Sequence, residues 1–148
     1  MYKKMAFTNN NKTLIREMTT PSLTIPPNTI TSLSKEQFFE ELKKNQTAFI
    51  IKFGAEWCGP CQKIDPLVYD WISKMPPEIK CAIIDVDENF EIYAFLKSKK
   101  MVNGIPAILC YYGCNDGWIP DDMVVGADEN AVNSFFKRCL QLVVRPEP

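Results

Sequence analysis

From residue 29 onward, apolar positions recur in two rhythms. Thr29–Leu33 is a short strand candidate, and Ser34 after it is placed to cap a helix, with Gln37 three residues on completing a capping box. Phe38, Phe39 and Leu42 give that helix one apolar face. Thr47–Phe53 (TAFIIKF) is a nearly continuous β-prone run interrupted by one lysine, as expected of a central strand covered on both sides. A helix is predicted from about Gly59 to Lys74, because Ile64, Leu67, Val68, Trp71 and Ile72 follow the helical period and Met75-Pro76-Pro77 stops it. Cys81–Val86 reads as another buried strand, and Phe90, Tyr93, Ala94 and Leu96 as a second amphipathic helix ending near Lys99. Pro106–Tyr112 and Met123–Val125 read as two strands, and Ala131–Val143 as a last helix capped by Asp128. The order β-α-β-α-β-α-β-β-α predicts an α/β fold, a sheet with helices on both faces.

The segment before this differs. Residues 1–27 carry an asparagine run, several threonines and Pro21, Pro26 and Pro27, and read as an extended or flexible N-terminal tail. In one view it is inert, and in the other it docks a partner or covers an edge strand. The expected organisation is an extension over 1–27, a domain over 28–144 and a short tail over 145–148.

Composition narrows the function. With 46% hydrophobic, 11% aromatic and 24% charged residues, the 148-residue chain is globular rather than disordered throughout. Seventeen basic residues against eighteen acidic ones leave a formal charge of −1, so no bulk charge draws it to nucleic acid or to a membrane surface. No apolar run approaches the roughly 18 residues needed to span a bilayer. There is no histidine, which excludes Ser-His-Asp and Cys-His catalysis and His-metal sites. Chemistry is left to Cys, Lys, Asp, Glu, Tyr and backbone groups.

Six cysteines are present: Cys58, Cys61, Cys81, Cys110, Cys114 and Cys139. The start, MYKKMAFTNNNKTLIREM, lacks the apolar core of a secretory signal, although its basic residues outnumber Glu17 and leave a mitochondrial presequence open. The expectation is a reducing, cytoplasmic setting in which most thiols are free.

Trp57-Cys58-Gly59-Pro60-Cys61 stands where the predicted central strand hands over to a helix. Cys58 at the helix N-terminus would face unpaired backbone N–H groups and the positive end of the dipole, which stabilise a thiolate. Two intervening residues bring the second sulfur back within disulfide reach after one turn, and Pro60 is tolerated in a first turn because its missing N–H is not needed there. A zinc knuckle or two inert core thiols are the competing readings. Zinc would need a second pair, and Cys110-x3-Cys114 runs away from Pro106 along its strand.

The stretch Phe53–Cys61, FGAEWCGPC, resembles the active-site segment of thioredoxins. Pro66 falls at the family's helix-kinking proline. Gly104-Ile105-Pro106 resembles the segment bearing its cis-proline, and Val125-Gly126-Ala127 its third substrate-facing loop. The similarity covers about residues 29–143 and implies the thioredoxin fold, a central mixed sheet with helices on both faces. It also implies a protein-disulfide reductase that needs no bound cofactor or metal. Cys58 would be the nucleophile and Cys61 the resolving thiol. Ile105 and Gly126 would offer backbone groups to a bound peptide beside Pro106, with Trp57, Gly59 and Pro60 forming the rim. The implied partners are disulfide-containing target proteins and a thioredoxin reductase or other thiol reductant.

Three features depart from the family pattern. Lys52 stands where an acidic residue is common behind the cysteines, and three readings of it compete: a neutral amine acting as proton acceptor, a charged tuner of the thiolate, or a stem lining the core with its ammonium snorkelling to water. Gly54 stands where a large aromatic is common and would leave room behind the site. The loop Gly113–Asp122 is long for a hairpin and carries Cys114 and an exposed Trp118, which reads either as a partner site or as a single unremarkable surface aromatic; free thiols are expected there, with a Cys110–Cys114 bridge as the alternative. Two further functions stay in play: a binding module on the same fold, and a dedicated disulfide oxidase or isomerase tuned by Lys52.

Overall fold

A computed structural model describes residues 24–115 and 117–144 of the chain. The expected N-terminal extension falls largely outside the described residues, as does the 145–148 tail. The elements run α1 (Lys35–Lys44), β1 (Ala48–Gly54), α2 (Gly59–Ser73), β2 (Ile79–Asp85), α3 (Phe90–Ser98), β3 (Ala107–Tyr112), β4 (Asp122–Val125) and α4 (Glu129–Val144).

The four strands form one mixed sheet in the order β2-β1-β3-β4. β1 pairs in parallel with β2, and α2 makes the crossover between them. β3 runs antiparallel to β1, with Lys52 opposite Ile108, and β4 returns antiparallel to β3. All seven residues of β1 are buried, as its unbroken apolar run requires of a central strand.

Strand alternation then sorts the core into two layers. Phe49, Ile51 and Phe53 face Phe38 and Leu42 of α1 and Ile92 and Leu96 of α3. Ala48 and Ile50 face Ile64, Val68 and Ile72 of α2 and Val132, Phe135 and Phe136 of α4. In the second layer the rings of Trp71 and Phe136 stack at 5.5 Å, and the Trp71 indole N–H donates to Asn133 Oδ1, fastening α2 to α4.

The helix ends follow the expected chemistry. Ser34 Oγ accepts from the Gln37 amide and Gln37 Oε1 from the Ser34 amide, closing the capping box. Asp128 Oδ1 accepts from the amides of Asn130 and Ala131 in front of α4.

Two expectations are corrected. Thr29–Leu33 is not a strand; only Ile30 pairs, in a single parallel bridge to Ala82 on the outer side of β2. Local turn chemistry takes the rest: Asn28 has φ +66°, the Thr29 hydroxyl bonds back to the Pro26 carbonyl, and the Leu33 amide is taken by Asn89 Oδ1. Nor does Trp118 stand free as a partner-facing aromatic. It is half-buried, its ring edge-on to Phe95 at 5.9 Å with the Lys99 ammonium 4.9 Å above it, and the buried Tyr111 hydroxyl donates to its carbonyl. The loop is therefore folded onto the first core layer, at the end of the sheet away from Cys58.

Candidate active site

β1 delivers the chain to the site. After Gly54 a short turn, closed by the Cys58 amide on the Ala55 carbonyl, leads into α2 with Cys58 as its N-cap. The Cys58 sulfur accepts the Cys61 amide at 3.2 Å. This is the capping geometry of an oxygen side chain, carried out by sulfur, and a helix N-terminal donor aimed at a sulfur favours its thiolate form. Cys58 and Cys61 are joined as a disulfide with their Cα atoms 5.2 Å apart. Cys61 is fully buried and Cys58 nearly so, at 4% exposure.

The rim is built by neighbouring loops. Trp57 is 70% exposed beside the sulfurs, and its indole N–H donates to Asp87 Oδ2 at 2.7 Å, which fixes the ring although one face is in water. Gly59 and Pro60 are exposed in the first turn of α2. The Ile105–Pro106 peptide bond is cis, with Pro106 buried and the Ile105 carbonyl oxygen 3.9 Å from Cys58 Sγ. Gly126, at φ +99°, is held in a backbone conformation that favours glycine, and its amide donates to the Pro106 carbonyl. That bond ties the Gly126 loop to the cis-proline segment.

Behind the sulfurs lies Lys52. It is 3% exposed and its Nζ ends 2.6 Å from Asp65 Oδ1 of α2, so the snorkelling reading is replaced by an internal ion pair. Gly54 explains how the lysine fits. A Cβ on Gly54 would stand 2.6 Å from Lys52 Nζ and 3.3 Å from Cys61 Sγ. The two departures are therefore one: the ammonium occupies the space a side chain at residue 54 would need. Both groups lie within 3.3 Å of that one point, so no more than about 6 Å separates nitrogen from sulfur, the range in which a charge acts on a thiol.

A cavity of about 380 Å³ opens on this region, lined by Lys52, Gly54, Asp65 and Asp85 among others. Asp65 was missed at the sequence level. The signal was available: Cys61, Ile64, Asp65, Val68 and Ile72 share one helical stripe, and an acid in an apolar stripe calls for a buried partner.

The other four cysteines are unpaired. Cys110 and Cys114 do not bridge, the first being buried and the second exposed. Burial, with a lesser contribution from Cys139, pushes the Cys81 thiol from its ordinary 9.0 up to about 12. A hydrogen bond with Cys139, together with burial, pushes Cys110 upward as well. Neither supplies a thiolate at neutral pH. The described residues gather no group of three or more His, Cys, Asp or Glu suited to a metal ion, and no helix among them is long and apolar enough to cross a membrane.

The architecture and site together define a thioredoxin-fold protein with one paired dithiol at a helix N-terminus. The comparisons agree: the family model for Thioredoxin matches residues 29–138, and the chain belongs to the thioredoxin family. It is 27% identical over 96 residues to Thioredoxin 3 of Plasmodium falciparum, covering 64% of this chain and 50% of that protein. To the mitochondrial thioredoxin of Mus musculus it is 24% identical over 103 residues, 70% of this chain and 58% of the relative. The chain thus spans only a little over half the length of these curated relatives. Among solved structures, Fasciola hepatica thioredoxin superposes with a TM-score of 0.59 at 27% identity, covering 74% of this chain and 98% of that one.

Proposed function

We propose that this protein is a thiol-disulfide oxidoreductase that reduces disulfides in target proteins through Cys58 and Cys61. The Cys58 thiolate attacks one sulfur of the target disulfide, forming a mixed disulfide and releasing the first target thiolate. Cys61 then loses its proton and attacks Cys58 Sγ, releasing the second target thiolate and closing the Cys58–Cys61 bond. Two electrons pass from the dithiol to the target. An external thiol reductant, of which a thioredoxin reductase is the family's example, restores the pair.

The observation that carries this reading is the N-cap sulfur: Cys58 Sγ accepts a helix N-terminal amide from the residue that also holds its partner thiol. The exposed rim of Trp57, Gly59 and Pro60 supplies a surface on which an extended segment docks, with Ile105 and Pro106 on its other side. The four unpaired cysteines suit a reducing, cytoplasmic setting.

A Cys61→Ser variant tests the mechanism. Incubated with a disulfide-bonded substrate such as insulin, it accumulates a covalent adduct at Cys58 that a reductant releases. The two-step exchange is wrong if no adduct forms while Cys58 still alkylates. A second reading, a disulfide oxidase or isomerase, is favoured by the buried ammonium near Cys61. A reduction potential for the pair near that of protein disulfide isomerase, about −180 mV, would select it over the reductase value of about −270 mV.

A further inference from the structure

Lys52 is a long, polar side chain spent in the core, and none of the packing around it requires a charge. Its neighbours across the sheet are Ile83 on β2 and Ile108 on β3, both apolar. Burying an ammonium costs several kcal/mol unless it is paired, so its pairing with Asp65 is needed to keep it there. Asp65 lies four residues after Cys61, one turn along the same helix, and its side chain is 24% exposed. The ion pair therefore joins the wall behind Cys61 to an opening on solvent. Space for the ammonium exists because residue 54 has no side chain.

Resting on the two-step reading above, we propose that Lys52 is a positioning residue for the resolving step: anchored by Asp65, its ammonium stabilises the Cys61 thiolate as that thiolate forms. In the mixed disulfide, the Cys61 S–H bond breaks and its proton passes to solvent. The electron pair left on sulfur forms the new bond to Cys58 Sγ, and the Cys58–target bond breaks with its electron pair on the departing target sulfur, which is protonated from solvent. Lys52 keeps its own protons and supplies only the field. Charged and titratable groups on this region are Asp65 and Tyr69 of α2, Asp85 at the end of β2, Glu56 in the turn before α2 and Glu88 before α3, all of which line the cavity. Lys52 is the one cation among these cavity-lining groups.

The test follows the Cys61 13Cβ signal of the reduced, full-length protein against pH, in wild type and in Lys52→Met. Removing a cation at this range moves the Cys61 transition upward by about one to three pH units. At pH 7 the resolving step then slows by about threefold per unit, because a tenfold loss of thiolate is partly offset by higher nucleophilicity. A transition that stays in place, or moves down, overturns the proposal and leaves Lys52 a packing residue. Should Lys52→Met not fold, Lys52→Gln serves instead. It keeps a polar side chain beside Asp65 but removes the charge, so the transition again moves up, and an unchanged or lowered transition counts against the proposal. Capture of target by Cys61→Ser is independent of both variants. Failure there removes the exchange mechanism without touching the titration, and the reverse outcome removes only the role of Lys52.

Discussion

Gly54 gives the sharpest test of the packing behind the disulfide. Its φ lies outside the left-handed region, so alanine is conformationally allowed and only space is at issue. In Gly54→Ala the new methyl would meet Lys52 Nζ at 2.6 Å, where ordinary contact begins at 3.4 Å. The ammonium must retreat by nearly an ångström. It is the free end of a flexible chain, but it is tied to Asp65 at 2.6 Å, and that retreat takes the bond toward the edge of hydrogen-bonding range. A hydrogen bond to a charged group contributes about 1.5–3 kcal/mol, and the lower chain entropy of unfolded alanine returns about 0.4–1 kcal/mol. The expected net loss is about 1–2 kcal/mol, or a fall in Tm of about 4–8 °C. Urea unfolding of the oxidised proteins at pH 7 measures it, given an unchanged m value. In a Lys52→Ala background the obstructing atom is gone, and the same substitution becomes nearly neutral, a coupling of about 1–2 kcal/mol in the double-mutant cycle. Equal costs in the two backgrounds would refute the claim that residues 52 and 54 share one space.

Gly113→Ala is expected to be worse tolerated for its size, because its Cβ would stand 2.6 Å from the Gln46 carbonyl carbon and 2.7 Å from its oxygen, main-chain atoms that cannot swing aside. A loss of about 1–3 kcal/mol in urea, with the alkylation rate of Cys58 at the far end of the sheet unchanged, is the predicted result. Stability also falls in alkali. The buried Cys81 keeps its proton up to about 12 in the folded state but loses it near 9.0 when unfolded, so its contribution is complete below pH 9 and is lost as pH climbs from there toward 12. Under reducing conditions, Cys81→Val should flatten that limb by about 1.4 kcal/mol per pH unit; an unchanged slope counts against the assignment.

The features legible in the sequence were those encoded locally. The capping box at Ser34 and the Asp128 cap depend on residues two or three apart, and both are in place. The buried run of β1 needed only its own composition. Cys58, Cys61 and the Ile105–Pro106 bond were legible by resemblance, because that segment order is distinctive. What the sequence hid was decided across the fold. Nothing beside Lys52 in the sequence marks its partner, since Asp65 lies thirteen residues on in another element. A loop position predicts an exposed Trp118, whereas Phe95 and Lys99, on and just after α3, supply its contacts. Ile30 retained only a bridge because turn hydrogen bonds on either side of it competed with the ladder.

That lone bridge has a bearing on how the molecule behaves in a crowd. Ile30 takes the Cys81 carbonyl and the Ile83 amide, in the middle of what would otherwise be a bare seven-residue margin on β2. At the opposite margin, β4 runs only four residues, and Arg138 grips the Asp122 carboxylate through two nitrogens at its start. A second chain seeking to extend the ladder finds one side already stapled and the other too brief to hold it, so cross-β growth from the native molecule is discouraged at both flanks.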